Sequence, residues 1–172
     1  MRELVLGGVR SGKSRYAEQQ ARASGLRVTY IATAIAAGDA ELEKRIQRHR
    51  SYRPAEWRTV EEPVALGAAL RAHGGAECCL LVECVTLWLA HLLTSRSADR
   101  LETERSSLLR ALAQAPGQVI LVSNETGLGV IPPGTLSRRF LDVSGELHQS
   151  LATACERVTL VVAGLPQRLK GV

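Results

Sequence analysis

The sequence predicts an α/β domain with a mostly parallel sheet and helices on both faces. Short apolar runs alternate with helix-forming stretches along the chain, the pattern of repeated βαβ units. Gly7-Gly8-Val9-Arg10-Ser11-Gly12-Lys13-Ser14 reads G-x-x-x-x-G-K-S, a phosphate-binding loop. An apolar run precedes that loop and a helical stretch follows it, the strand–loop–helix context the motif needs.

The elements follow in order. Strands are predicted at 3–7, 27–33, 78–83, 118–123 and 157–163, and helices near 13–24, 39–50, 63–73, 85–94, 99–115 and 136–155. Leu4-Val5-Leu6 is an apolar run of the kind a doubly covered parallel strand needs. After Ser14 come Arg15 to Ala23, rich in helix formers and free of Gly and Pro. Asp39 can cap the second helix, in which Leu42, Ile46 and His49 share a face. Leu101, Leu108 and Leu112 fit one face of the fifth, which ends at Pro116-Gly117. No repeat, linker or low-complexity tract interrupts the pattern, so a single domain over residues 1–172 is expected.

Composition narrows the function classes. The chain is 45% hydrophobic and 23% charged, as in ordinary globular proteins. The nearly apolar stretch 84–93 is too short to span a bilayer. The N-terminus enters the first strand without the apolar segment and cleavage site of a signal peptide, so a cytoplasmic protein is expected. The cysteines at 78, 79, 84 and 155 form no C-x-x-C pair, which favours buried free thiols over zinc or disulfides. The formal charge is +5. Aromatic residues are 3% of the chain, too few to stack single-stranded nucleic acid, and the arginines are dispersed. Anionic small molecules such as nucleotides suit this charge better than nucleic acid.

In a parallel sheet ligands bind beyond the carboxyl ends of the strands. The loop glycines let successive amides point at an anion. Lys13 is a candidate catalytic cation for the β/γ-phosphates, and the Ser14 hydroxyl a candidate Mg2+ ligand. Glu83 closes the third predicted strand where a Walker-B acid would hold Mg2+, directly or through water. Asp is the usual residue there, and an ion pair with an arginine is the competing reading. Thr33, between Ala32 and Ala34, reads equally as a polar rim contact or a β-branched strand residue. Asn124 and Glu125, before Gly127, Gly129 and Pro132-Pro133, are either substrate contacts or parts of a structural turn.

Residues 39–62 are the unusual stretch. His49 beside apolar neighbours is by spacing alone an ordinary structural histidine. Arg45, Arg48, Arg50 and Arg53 surround it in sequence and can bind phosphate oxygens. A neutral imidazole nitrogen is a competent nucleophile towards phosphorus. His73, His91 and His148 lack a comparable setting in the sequence, though His148 lies in a polar helical segment.

These segments resemble the bifunctional adenosylcobinamide kinase/adenosylcobinamide-phosphate guanylyltransferase family of cobalamin biosynthesis. The likeness runs through Gly7–Ser14, Tyr30-Ile31-Ala32-Thr33 and Arg45-Ile46 followed by His49. It continues through Arg53-Pro54-Ala55, Trp57-Arg58-Thr59 with Glu61, and residues 80–84. Ser123-Asn124-Glu125 with Gly127-Leu128-Gly129, Arg139-Phe140 with Asp142, and Ala163-Gly164-Leu165-Pro166 complete it. The resemblance implies a RecA-like P-loop NTPase fold and two reactions. ATP or GTP phosphorylates the hydroxyl of the cobinamide aminopropanol arm. GTP then guanylylates a histidine, and GMP passes to cobinamide phosphate, giving adenosylcobinamide-GDP and pyrophosphate. It aligns His49 with the guanylylated histidine. It also aligns Gly7 to Ser14, Ala32, Thr33, Ala34, Arg50, Ser51, Tyr52, Arg53, Glu61 and Glu83 with nucleotide contacts. A homo-oligomer, a trimer, is implied as well. A monofunctional guanylyltransferase or a small-molecule P-loop kinase is the alternative, because loop and histidine are both present and sequence does not separate the activities. Two departures stand out: Arg48 where some relatives carry a second histidine, and His148 where Asn is commoner.

Overall fold

The computed structural model describes residues 1–34, 40, 43–44, 46–47, 54–94 and 98–171. The strands are β1 (Arg2–Gly7), β2 (Arg27–Ala32), β3 (Arg58–Glu61), β4 (Cys78–Glu83), β5 (Gln118–Asn124), β6 (Arg157–Val162) and β7 (Leu165–Lys170). The helices are α1 (Lys13–Ala23), α2 (Leu66–His73), α3 (Val85–Thr94), α4 (Ala98–Gln114) and α5 (Thr135–Ala154). The strands form one seven-stranded sheet in the order β3-β2-β4-β5-β1-β6-β7. Every neighbouring pair is parallel except β6–β7.

The inner strands are the apolar runs of the sequence. Their residues alternate between two cores, as the two-residue period of a strand requires. Leu4, Leu6, Leu80, Val82, Val119 and Leu121 face one core, shared with α2, α3, α4 and α5. Val5, Cys79, Leu81, Ile120 and Val122 face the other, with Tyr16, Ala17 and Ala21 of α1. Helices therefore cover both faces, asymmetrically: α1 on one side, four described helices on the other. Trp88 of α3 is fully buried in the larger core, and its indole N–H donates to the Val64 carbonyl at 2.7 Å. Burying so large a ring is favourable only if its one polar group is paired.

The predicted strands and helices recur with ends shifted by up to three residues. The predicted 39–50 helix lies largely outside the described residues; within it, 40, 43–44 and 46–47 are helical. The sequence prediction lacked β3 and β7, the two edges of the sheet. An edge strand needs no apolar run on both faces. All six residues of β7 are exposed, and three of the four in β3. β7 also contains Pro166, which a strand tolerates at an edge. Its hairpin with β6 turns on Ala163 and Gly164, both at positive φ, 51° and 81°. That is the two-residue turn a right-twisted hairpin favours, with alanine at a position where Asn or Gly is the usual signal.

Among the described residues no helix is long and apolar enough to cross a membrane.

Candidate active site at the carboxyl edge of the sheet

Strand register assembles the site. Ala32 pairs with Glu61 on one side and Glu83 on the other, and Gly7 pairs with Asn124. The ends of β1, β2, β3, β4 and β5 thus lie together at the carboxyl edge, with Glu61, Glu83 and Asn124 as their polar residues.

The loop 7–14 curls through backbone conformations that few residues accept. Arg10 and Gly12 have φ of 57° and 95°. Gly7 has no alternative: a Cβ there would meet Ser11 Oγ at 2.4 Å and the Val161 carbonyl at 2.6 Å. The loop is held from within by Ser11 N–H to the Gly8 carbonyl, 3.2 Å. It is held from outside by Gly164 N–H to the Ser11 carbonyl, 2.7 Å. The β6–β7 turn, which the sequence does not mark as part of the site, is therefore its buttress. A Cβ on Gly12 would approach Gly164 Cα to 3.0 Å, so the two segments meet backbone to backbone.

Helix α1 starts at Lys13 with no side-chain cap and no acidic residue in its first turn. Its first amides and the positive end of its dipole are left for an anion. Lys13 is buried, and its ammonium donates to the Gly8 carbonyl at 3.2 Å. Burial pushes its pKa down, and the Glu83 carboxylate partly offsets this. A buried cation so placed is stabilised by any anion seated in the loop.

Glu83 reaches this site by strand parity: Cys79 and Leu81 face the α1 core, and Glu83 continues their row. Its Oε1 accepts a hydrogen bond from the Ser14 hydroxyl. Its Oε2 is buried without a hydrogen-bond partner. No arginine pairs with Glu83 among the described residues, and the Ser14 bond joins the two side chains expected to hold a metal. No group of three or more His, Cys, Asp or Glu residues suited to a metal occurs among the described residues. Two protein oxygens beside phosphate and water suit a hard ion such as Mg2+, which keeps several waters.

Thr33 is buried, and its hydroxyl donates to the Cys84 carbonyl at 2.7 Å and accepts from the Cys84 N–H at 2.8 Å. Its N–H also bonds to the Glu83 carbonyl, 3.1 Å. The side chain thus fastens the end of β2 to the residue following β4. Ala34 is half-buried beyond it, and Glu61 is exposed at the end of β3. His49, Arg50, Ser51, Tyr52 and Arg53, with Arg45 and Arg48, lie outside the described residues.

The end of β5 is tied to the phosphate loop: Glu125 N–H donates to the Gly7 carbonyl at 3.0 Å. Beneath it lies a polar cluster that joins Ser123, Asn124 and Glu125 to Thr86 and His148. Ser123 Oγ is 2.8 Å from His148 Nε2 and 3.1 Å from Thr86 Oγ1, and Thr86 Oγ1 accepts from Asn124 N–H at 2.6 Å. His148 Nδ1 faces Glu125 Oε2 at 3.7 Å. Glu125 Oε1 accepts from Gly127 N–H at 2.7 Å, starting the loop that leads to α5. His148 does have polar company; its partners are 23 or more residues away in sequence and come together only in the fold.

Comparisons with known proteins agree with this architecture. Residues 3–169 match the family described as cobinamide kinase / cobinamide phosphate guanyltransferase. The chain is 60% identical to the bifunctional adenosylcobalamin biosynthesis protein CobP of Pseudomonas aeruginosa, over 99% of this chain and 98% of that one. It is 38% identical to the bifunctional adenosylcobalamin biosynthesis protein CobU of Escherichia coli, and 36% identical to that of Salmonella typhimurium. Each alignment spans 97% of this chain and 98% of the relative. A solved Pyrococcus horikoshii OT3 protein shares the fold at a TM-score of 0.55 and 8% identity, over 99% of this chain and 86% of that one. The phosphate loop, its acid partner and a match over nearly the whole length lead to one assignment: the chain belongs to the cobinamide kinase / cobinamide phosphate guanyltransferase family.

Proposed function

We propose that this chain, as one domain, phosphorylates the aminopropanol hydroxyl of adenosylcobinamide with ATP or GTP. It then transfers GMP from GTP to adenosylcobinamide phosphate. The observation that supports this most strongly is the Lys13–Ser14–Glu83 constellation under an uncapped helix, in a chain of this family.

The residues divide the work. The loop amides and the α1 dipole bind and orient the triphosphate. Lys13 neutralises charge on the β/γ oxygens as the terminal phosphoryl group leaves. Ser14 and Glu83 are the groups that would hold Mg2+ with the nucleotide, and the buried, unpaired Glu83 Oε2 fits that role. Bound Mg2+ supplies neutralisation of phosphate-oxygen charge.

In the second reaction the His49 imidazole attacks the α-phosphorus of GTP. An N–P bond forms, the bond from that phosphorus to the bridging oxygen breaks, and pyrophosphate leaves with its electron pair. The ring proton goes to solvent. A phosphate oxygen of cobinamide phosphate then attacks the same phosphorus, the N–P bond breaks, and His49 is regenerated. Arg50 and Arg53, with Ser51 and Tyr52 between them, supply phosphate contacts in this reading. Ala32, Thr33, Ala34 and Glu61 line the nucleotide's side of the edge.

The test uses GTP labelled at the α-phosphate, first alone and then with cobinamide phosphate. An acid-labile, alkali-stable adduct is expected at His49, lost in a folded His49→Ala protein and chased by cobinamide phosphate. Guanylyl transfer that survives in His49→Ala would remove His49 as the nucleophile. No transfer under either condition, with GTP bound, would leave the kinase half alone.

A further inference from the structure

The Ser123–His148–Glu125 arrangement has the connectivity of a nucleophile, base and carboxylate. Ser123 is 1% exposed, so no substrate reaches its oxygen. The cluster must act through what it holds.

Hydrogen-bond direction shows what that is. The Asn124 amide can only donate, and it donates to Thr86 Oγ1 at 2.6 Å. With Thr86 Oγ1 already accepting there, its own hydrogen finds an acceptor in this chain when Thr86 donates to Ser123 Oγ across 3.1 Å and Ser123 in turn donates to His148 Nε2 across 2.8 Å. This direction uses both hydroxyl hydrogens and makes Nε2 the acceptor of a neutral imidazole, whose proton lies on Nδ1 and faces the Glu125 carboxylate at 3.7 Å, an electrostatic contact longer than a hydrogen bond. The chain therefore starts on Asn124, the last residue of β5, and ends facing Glu125, the residue after it. One of them, Glu125, is bonded through its own N–H to Gly7 of the phosphate loop, 3.0 Å. Strand alternation assigns the Asn124 side chain to the α1 face, where Lys13 and Glu83 lie, and Ser123 to the opposite core.

We infer that His148 is a positioning residue for phosphoryl transfer: as a neutral acceptor on α5 it locks the Asn124–Glu125 step against the phosphate loop. This rests on the proposed kinase activity. Protonating Nε2 turns an acceptor into a donor facing the Ser123 hydroxyl, and the chain must reverse or break. Burial pushes the imidazole pKa down, and Glu125 opposes this. Glu125 is the charged group acting on the ring among the described residues; Ser123 and Thr86 contribute neutral hydroxyls. The lock is whole at neutral pH and is lost as pH falls through the folded pKa, which lies below the ordinary 6.5.

The experiment measures nucleotide-dependent phosphorylation of cobinamide against pH for wild type, His148→Ala and His148→Gln. Gln places an amide oxygen near the Nε2 position and does not titrate. His148→Ala should lower kcat about tenfold with a much smaller change in nucleotide KM, because positioning and not binding is lost. His148→Gln should recover most of that kcat and lack the acid limb that wild type shows below 6.5. If His148→Ala does not fold, the Gln profile decides. An acid limb identical in wild type and His148→Gln would overturn the inference, as would a folded His148→Ala with wild-type kcat. A wild type that binds nucleotide but transfers no phosphoryl group would overturn the kinase reading and this inference with it. An active wild type with indifferent variants would sink this inference alone.

Discussion

At the scale of single residues, Glu83 shows how much a sequence motif leaves undecided. The sequence marks it as an acid closing an apolar strand and offers a metal ligand or an ion pair. The fold puts it against Ser14, with one oxygen bonded and the other buried without a hydrogen-bond partner. A buried, unpaired carboxylate oxygen is costly unless a cation or donor meets it. Glu83→Gln keeps the shape and an acceptor for Ser14 but removes the charge. The variant should require roughly tenfold more Mg2+ for half-maximal turnover, read from rate against Mg2+ concentration. An unchanged Mg2+ dependence would count against Glu83 as a ligand. Lys13 was legible from its motif alone, because Gly-Lys-Ser after a strand has a phosphate purpose. Thr33 was not: whether its hydroxyl faces a ligand or Cys84 depends on how β2 and β4 end side by side.

At the scale of elements, legibility followed burial. β1, β2, β4, β5 and β6 carry buried apolar runs and could be read directly, whereas the exposed edges β3 and β7 could not. Helix pairing was equally hidden. Gly67 in α2 looks like a weak helix residue, and replacing it with alanine should gain about 1 kcal/mol of propensity. In the fold, a Cβ there would lie 2.5 Å from the Ser107 carbonyl carbon and 2.6 Å from its oxygen. That is backbone of α4, which cannot swing aside as a side-chain tip can. Overpacking of this kind costs about 1–3 kcal/mol, so close approach outweighs propensity. Gly67→Ala should lower the urea midpoint; a raised midpoint would mean that α2 and α4 separate freely.

At the scale of the whole molecule, the start of β1 is tied to the residue that precedes β6. The Arg2 guanidinium pairs with Glu156, with a bond of 2.8 Å from Nε, and Arg2 also donates to the Ala113 carbonyl at 3.0 Å. The Arg2 bond is the main cause that lowers the Glu156 pKa from 4.5 to about 2. A depressed carboxylate contributes stability above its unfolded pKa and loses it as pH falls through the folded one. Wild type should therefore lose this contribution between about 4.5 and about 2. Glu156 is nearly half exposed, so screening leaves about 1 kcal/mol or less. Glu156→Gln should be slightly less stable than wild type at pH 7, with the difference vanishing near pH 2, by denaturant unfolding at both values. A difference that persists in acid would assign the effect to packing. The sequence alone determined the layered α/β class, the phosphate loop, its lysine and the family resemblance, because these reside in contiguous stretches whose chemistry is local. Tertiary structure alone decided the Ser14–Glu83 pairing, the Gly164 buttress and the His148 chain. Those contacts join residues tens of positions apart, and their geometry exists only once the strands lie in register.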